Sequence, residues 1–205
     1  MADTGALYQR VPGLVLGFHG CDASVAEAVL SRPDKHLRSS ENAWDWLGHG
    51  IYFWENDPRR ALQFAIEAQS NAKLTRGKID NPAVVGAVID LRVCLDLLNQ
   101  TGLLEVQRAY GALADTFAKS GAPLPQNGGE GRAARYLDCA VIKMAHTVRE
   151  ESANSDRQPP YDTVRGAFWE GGALFPGSCI ESKNHVQIAV RNTDCILGYF
   201  RPRTA

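Results

Sequence analysis

The chain lacks any uninterrupted apolar run of the roughly 20 residues that a membrane-spanning helix needs. Residues 1–16 carry Asp3 and Arg10 and have no apolar core behind an early basic stretch, so we expect no secretory signal peptide. Internal repeats and low-complexity tracts are also missing. These absences favour a single folded domain over residues 1–205, located in the cytoplasm and with no membrane partner.

An excess of either charge is missing as well, because 22 Lys and Arg stand against 23 Asp and Glu, which gives a formal net charge of −1. No overall basic field is therefore available to hold nucleic acid nonspecifically. The five cysteines have neither the close spacing of zinc ligands nor the density of a small secreted domain. We expect reduced thiols and no bound metal.

The remaining composition is that of an ordinary globular protein, with 44% hydrophobic and 22% charged residues. Strand and helix signals follow one another in an irregular order, which favours a mixed α+β fold over a doubly wound sheet. Asp57 followed by Pro58 predicts a helix start, because the carboxylate accepts orphan amides and proline already holds the helical φ. The predicted strands cover 14–18, a stretch that begins at 51, 84–91, 186–191 and 195–200, with the last two paired as a tight hairpin, and the predicted helices cover 24–30, 57–73, 103–119 and 133–150.

Two short runs, 17–21 and 46–53, place polar or aromatic side chains beside glycine. A residue without Cβ lets the main chain come close to a ligand, and glycines flank His49 on both sides. In the strand that begins at Ile51, side chains alternate between the two faces. Tyr52 therefore points away from its two neighbours, and we expect it to face a cleft.

These runs carry a resemblance to a known family. His19 and Gly20, then Gly-x-Gly-Ile-Tyr-Phe at 48–53, then a helix with Ala61 and Phe64, and finally two C-terminal strands, resemble the ADP-ribosyltransferases of the PARP and diphtheria-toxin type. The likeness is dense in the first third of the chain and weaker in the C-terminal strands. The middle of the chain shows no feature of the family.

The resemblance implies a fold of two apposed, mostly antiparallel sheets that form a central cleft for NAD as co-substrate. It implies that His19 hydrogen-bonds the ribose on the adenosine side and that the Gly20 backbone meets the nicotinamide amide. Tyr52 would stack on the nicotinamide ring. A second ring often comes from the next helix; a direct count falls on Gln63, and the adjacent Phe64 is the better physical candidate.

The family's third residue is a glutamate near the start of the last-but-one strand, and Gln187 stands at that place here. An amide can hydrogen-bond the ribose hydroxyl, but it offers no full negative charge to an oxocarbenium-like transition state. Three outcomes stay open. Gln187 suffices for mono-ADP-ribosylation, Glu170 or Glu181 supplies the carboxylate, or the domain binds NAD or ADP-ribose without turnover.

We favour a mono-ADP-ribosyltransferase that modifies a protein or nucleic-acid acceptor, of the kind found among bacterial toxins and defence effectors with a cognate antitoxin protein. An aromatic and glycine-rich stretch, 167–178, predicts a loop beside the cleft. Phe168 and Glu170 in this loop are candidates for acceptor contact. Arginines that border two predicted loops are candidates for an anion-binding rim, although a solvated helix face explains most of them: Arg132, Arg135, Arg149, Arg157 and Arg165.

A more remote alternative is a cysteine hydrolase in which Cys21 is the nucleophile and His185 or His49 the base. No strained nucleophile turn or orienting acid accompanies the cysteine, and free cysteines are usually small buried hydrophobes. The same reasoning predicts that Cys94, Cys139 and Cys195 lie in the core.

Overall fold

The computed structural model describes residues 13–71, 74–129, 134–156 and 158–203. The strands in these ranges are β1 (Leu14–Asp22), β2 (Ile51–Glu55), β3 (Pro82–Asp90), β4 (Cys94–Asp96), β5 (Thr163–Phe168), β6 (His185–Val190) and β7 (Ile196–Phe200). The helices are α1 (Ala23–Leu30), α2 (Pro58–Ser70), α3 (Gln100–Ser120) and α4 (Tyr136–Asp156). The predicted α+β class is confirmed. None of the described helices is long and apolar enough to cross a membrane.

All seven described strands join one sheet in the order β4-β5-β6-β2-β1-β3-β7. Neighbouring strands are antiparallel except β4 and β5, which form a parallel pair at one edge. The sheet is therefore mostly antiparallel, as expected. The two separate sheets that the resemblance implies are replaced by one hydrogen-bonded sheet.

This sheet is weakly joined at its centre. β1 and β2 pair only through Gly17 with Glu55 and Phe18 with Trp54, whereas β1 pairs with β3 along its whole length. Beyond Phe18 the two central strands separate, and His19 Nδ1 donates across the gap to the backbone oxygen of Tyr52 at 2.7 Å. The resulting split opens the cleft described below.

The two faces of the sheet carry different helices. α1 shares a core cluster with Ile51 and Phe53 of β2, while Tyr52 packs in the cluster formed with α3 and α4 on the opposite face. This confirms that Tyr52 points away from its neighbours. α2 packs over β1 and β3 and begins as predicted, with Asp57 accepting from the Arg60 backbone N–H at 2.9 Å.

The predicted C-terminal hairpin is wrong. β6 has β2 on one side and β5 on the other, so neither of its edges is free for β7. A short 3-10 helix, Thr193–Cys195, carries the chain to the far edge of the sheet, where β7 pairs with β3. A turn signal fixes a change of direction, but the available edge decides which strands pair.

The sequence analysis also missed β5 and assigned part of it to a loop. β5 is a buried strand that contains Arg165, a residue type rarely buried without a partner. Glu55 accepts from Arg165 at 2.6 and 2.8 Å, and Asp96 accepts at 3.3 Å. Both carboxylates come from strands distant in sequence, so no local sequence pattern predicted that the positive charge of Arg165 would be paired.

Candidate active-site cleft

The split between β1 and β2 opens into a cleft of about 500 Å³. It is lined by β1 and β2, by α2, by the segments 37–46 and 74–79, and by residues near the ends of β5 and β6. Every residue that the sequence analysis assigned to the site lines this one cleft, namely His19, Gly20, Tyr52, Phe64, Phe168, Glu170 and Gln187. The alternative carboxylate Glu181 does not line it.

His19 is fixed in one tautomer. Its Nδ1 must carry the hydrogen, because the Tyr52 backbone oxygen at 2.7 Å can only accept. Burial lowers the pKa of His19 below its usual value of 6.5, so the ring is neutral near pH 7. Nε2 makes no hydrogen bond with the described residues and is left as an acceptor, which suits a hydroxyl donor such as that of a ribose.

Tyr52 contributes its ring to the cleft, while its hydroxyl is bonded to the loop that precedes β2. The hydroxyl donates to the Gly48 backbone oxygen at 2.7 Å and accepts from the Leu47 backbone N–H at 3.0 Å. Desolvation raises the pKa of Tyr52 well above its usual value, so the hydroxyl stays protonated. The ring is therefore held rigidly.

The glycines beside these residues allow close packing between parts of the protein, a role that the sequence analysis did not predict. A Cβ on Gly20 would lie 2.0 Å from the Ala61 backbone oxygen of α2. One on Gly48, whose φ is +77°, would lie 2.9 Å from the Ile142 side chain of α4. His49, between Gly48 and Gly50, does not line the cleft.

The ring that packs on Phe64 is Trp54, with centroids 5.0 Å apart. Trp54 follows Tyr52 by two residues in β2 and so lies on the same face of the sheet. The sequence analysis expected Phe64 to face Tyr52 across the nicotinamide. Both rings line the cleft, but no direct ring contact joins them within the described part of the chain.

Gln187 is held in one orientation by Trp46, whose indole N–H donates to Gln187 Oε1 at 2.6 Å. Because the indole can only donate, the amide oxygen must face Trp46 and the NH₂ group is the free end. Gly166 makes this contact possible, since a Cβ there would lie 2.7 Å from the Trp46 ring. Gln187 therefore presents a hydrogen-bond donor to the cleft.

A charged cluster lies where β6 begins. Arg60 is buried, at 7% exposure, and donates to Glu170 Oε1 while its guanidinium carbon lies 5.6 Å from the centre of the Trp54 ring. His185 Nδ1 donates to the Lys183 backbone oxygen at 2.7 Å and lies 3.8 Å from the same Glu170 oxygen. Burial lowers the pKa of His185, so this ring is also neutral near pH 7.

Basic side chains do line the cleft, but they are not the arginines named from the sequence. Arg38, Arg76 and Lys78 are exposed at its mouth. Of the arginines expected to form a rim, Arg165 is bound to carboxylates inside the sheet and Arg149 donates to the Pro159 backbone oxygen at 2.9 Å. Arg135 lies over the Phe168 ring, and Arg132 and Arg157 lie outside the described residues.

The cysteine-hydrolase alternative finds no support in the geometry. Cys21 lines the cleft, but burial raises the pKa of its thiol to about 11, and no histidine hydrogen-bonds it within the described residues. Cys94, Cys139 and Cys195 are buried, as predicted. Within the described residues no cluster of three or more His, Cys, Asp or Glu side chains is arranged to hold a metal ion.

Sequence reasoning missed the tryptophans. Trp44, Trp46 and Trp54 all line the cleft, and they are three of the four tryptophans in the chain. Their concentration around the second glycine-flanked run was a usable signal, because tryptophan is enriched in binding sites. Arg60 offered no such signal, since one arginine in the first turn of a helix resembles an ordinary surface residue.

Comparison of the chain with protein-family models, with curated proteins and with solved structures found no match.

Proposed function

We propose that the protein is an NAD-dependent mono-ADP-ribosyltransferase. It cleaves the bond between nicotinamide and ribose in NAD and transfers ADP-ribose to a macromolecular acceptor, either a protein or a nucleic acid. The observation that carries this proposal is the convergence of His19, Tyr52 and Gln187, which are far apart in sequence, on one cleft. The split between β1 and β2 supports the proposal because it opens a cleft within one sheet, whereas the resemblance implies a cleft between two sheets.

The size and polarity of the cleft support a dinucleotide ligand. Small-molecule sites typically enclose roughly 300–1,000 Å³, and this cleft encloses about 500 Å³. Aromatic rings along the walls suit the planar nicotinamide and adenine groups. Arg38 and Arg76 at the mouth carry charge that complements a diphosphate, and Arg38 has no partner among the described residues.

In the proposed complex His19 accepts a hydrogen bond from a ribose hydroxyl through Nε2, and the nicotinamide lies against the Tyr52 ring. Gln187 donates from its NH₂ group to a hydroxyl oxygen of the nicotinamide ribose, because Trp46 already occupies its amide oxygen. These contacts orient the glycosidic bond and lower the entropic part of the barrier.

The segment between β5 and β6 supports an acceptor larger than a small molecule. Trp169, Leu174, Phe175 and Ile180 are each 55–59% exposed, although large apolar side chains are usually covered. Phe168, by contrast, packs its ring against Trp46 at 5.0 Å and so forms the wall of the cleft. We therefore assign acceptor contact to the exposed side chains that follow Phe168.

Two measurements on one preparation test the proposal: isothermal titration with NAD and chromatographic detection of released nicotinamide. The wild-type protein is expected to bind NAD and to release nicotinamide. His19→Ala should weaken NAD binding by about five- to tenfold, because a hydrogen bond of about 1–1.5 kcal/mol is lost. Incubation of a cell lysate with labelled NAD, followed by mass spectrometry, identifies the acceptor.

His49→Ala is the matched control. It makes the same substitution at a histidine that also has glycine as a neighbour but does not line the cleft. This variant should bind NAD as the wild type does. Failure of the wild-type protein to bind NAD at millimolar concentration would refute the proposal.

A second candidate is an NAD-binding module without turnover. The observation in its favour is Gln187, which replaces a carboxylate and whose oxygen is bonded to Trp46. Binding of NAD without release of nicotinamide, with or without lysate, would support this candidate over the transferase.

A further inference from the structure

The cleft contains few carboxylates that can act on a bound ligand. Among the described residues, three acidic side chains line it, namely Asp22, Asp45 and Glu170. Asp22 is saturated: Oδ1 accepts from the Ser24 backbone N–H and hydroxyl at 2.9 and 2.6 Å. Its Oδ2 accepts from two backbone N–H groups, at 2.9 and 2.8 Å. Asp22 thus caps α1 and anchors the chain before β3.

Asp45 is also engaged through both oxygens. Its Oδ2 accepts from the Asn42 backbone N–H at 2.7 Å, and its Oδ1 accepts from the Asn42 side-chain amide at 3.3 Å. Glu170 differs, because Arg60 takes Oε1 while Oε2 makes no hydrogen bond with the described residues. Glu170 is therefore the one carboxylate lining the described cleft with an oxygen left for a ligand.

Glu170 and Gln187 line the same cleft and are connected through His185. Its Oε1 is 3.8 Å from His185 Nδ1, and His185 precedes Gln187 by two residues in β6. Residues two apart in a strand project from the same face about 7 Å apart. Glu170 and Gln187 therefore line the cleft from the same face of β6, and we place the ribose of the proposed complex between them.

Arg60 positions Glu170 without leaving the cluster positively charged. A second carboxylate, Glu67, has one oxygen 3.9 Å from Arg60 and accepts from Lys183 at 2.6 Å through the other. Two cations thus face two anions in this network. Burial of Arg60 keeps it in place, which fixes Glu170 Oε1, while Oε2 has no hydrogen-bond partner among the described residues.

We propose that Glu170, which follows β5, supplies the negative charge that position 187 of β6 lacks. The inference rests on the proposed transferase function. As the bond between the ribose C1′ and the nicotinamide nitrogen breaks, its electron pair leaves with nicotinamide, and positive charge develops on C1′ and the ring oxygen. The Glu170 carboxylate stabilises this charge while Gln187 orients the ribose. The acceptor, or water, then forms the new bond to C1′ and loses its proton to solvent.

The test is Glu170→Gln, read by nicotinamide-release kinetics and by NAD titration. The variant keeps an oxygen for Arg60 but removes the charge. We expect kcat to fall about 100-fold or more, as when one transition-state contact is removed, and the Kd for NAD to stay within about threefold. Glu181→Gln, in the same segment but outside the cleft, is the matched control and should change neither quantity.

The double variant Glu170→Gln with Gln187→Glu gives an independent reading, because it returns a carboxylate to the cleft at the other position. It should recover at least about tenfold of the lost kcat. If Glu170→Gln is too unstable to assay, Glu170→Asp keeps a negative charge to face Arg60 but shortens the side chain by one methylene, so the carboxylate lies further from the ribose. We expect about a tenfold lower kcat and an unchanged Kd for NAD.

A kcat for Glu170→Gln within about threefold of the wild type would overturn the assignment of Glu170 and leave the transferase function intact. An unchanged kcat for Glu170→Asp would do the same where that variant is the one assayed. Failure of the wild-type protein to release nicotinamide is a different result, since it removes the function itself and the inference with it. The wild-type protein therefore tests the transferase function, and the Glu170 variants test the assignment of Glu170.

Discussion

At the scale of single residues, Tyr52 combines two separable interactions. Its ring lines the cleft, whereas its hydroxyl pairs with the backbone of Leu47 and Gly48 in the loop before β2. The sequence pattern predicted the ring's direction because strand alternation is a local property. The hydroxyl's partners were not predicted, since they depend on how the glycine-rich loop folds back.

Tyr52→Phe should therefore separate stability from binding. Removing the hydroxyl leaves the Gly48 carbonyl and the Leu47 N–H unpaired in a largely buried place, which costs about 1–3 kcal/mol of unfolding free energy. The ring remains, so NAD affinity should stay within about threefold. Urea denaturation and NAD titration measure the two effects, and Tyr52→Ala, which loses both interactions, is the comparison. Equal NAD affinities of the Phe and Ala variants would contradict a role for the ring.

The sequence identified Gln187 but did not show how its side chain is oriented. The sequence identified it as the residue in place of the family's glutamate, and the cleft contains it. Trp46 decides which end of its amide faces the cleft, and Arg60 holds the Glu170 carboxylate in the wall of the same cleft. The nicotinamide-release kinetics of the Glu170 and Gln187 variants test the roles of these two residues.

At the scale of elements, the close approach of α2 to β1 positions one wall of the cleft. Gly20 allows it, because the Ala61 backbone oxygen lies 2.0 Å from where a Cβ would be. Backbone atoms in a helix move little, so a side chain there must displace the whole helix. The sequence marked Gly20 as important, although for ligand contact, and the helix contact became evident only in the fold.

Gly20→Ala should accordingly lower the unfolding free energy by about 3 kcal/mol or more. Gly111→Ala in α3 is the control, because nothing lies within 4 Å of a Cβ at that position. Since alanine suits a helix better than glycine, this control should gain about 0.5–1 kcal/mol. Chemical denaturation of both variants measures the difference. Similar unfolding free energies for the two would show that α2 shifts at little cost in free energy.

The sequence predicts where strands lie better than it predicts which strands pair. The predicted strands at 84–91 and 195–200 exist, with small shifts at their ends, because apolar runs between turn signals are recognisable locally. Their neighbours in the sheet were predicted incorrectly for β7, since β5 occupies the edge of β6 that a hairpin requires. β5 was overlooked, and the error in β7 followed from it.

At the scale of the whole molecule, three histidines make stability depend on pH. Burial lowers the pKa of His19, His185 and His146, and it lowers that of His146 to about 3. Arg191 donates to His146 Nδ1 at 3.1 Å, so protonation would set a second cation beside the guanidinium. These rings stay neutral in the folded protein at pH values where the unfolded chain protonates them.

The sign of the dependence follows from these directions. Below the unfolded pKa of about 6.5 the unfolded state binds more protons, so the unfolding free energy decreases as pH falls. For His146, whose pKa in the folded protein is about 3, the decrease amounts to about 1.4 kcal/mol per pH unit, and the lowered pKa values of His19 and His185 act in the same direction. Denaturation between pH 7.5 and 5 should show this decrease for the wild type. His146→Gln should show a slope smaller by about one proton. Identical slopes for the two proteins would mean that His146 titrates normally in the fold.

The sequence by itself determined the α+β class, the start of α2 at Asp57 and the alternation in β2, because each of these depends on near neighbours along the chain. Only the tertiary structure decided that the seven described strands form one split sheet and that Trp46 orients Gln187. It also decided that Glu170 is held by Arg60. These features join residues distant in sequence, and their energies depend on which surfaces are already occupied, so no local pattern encodes them.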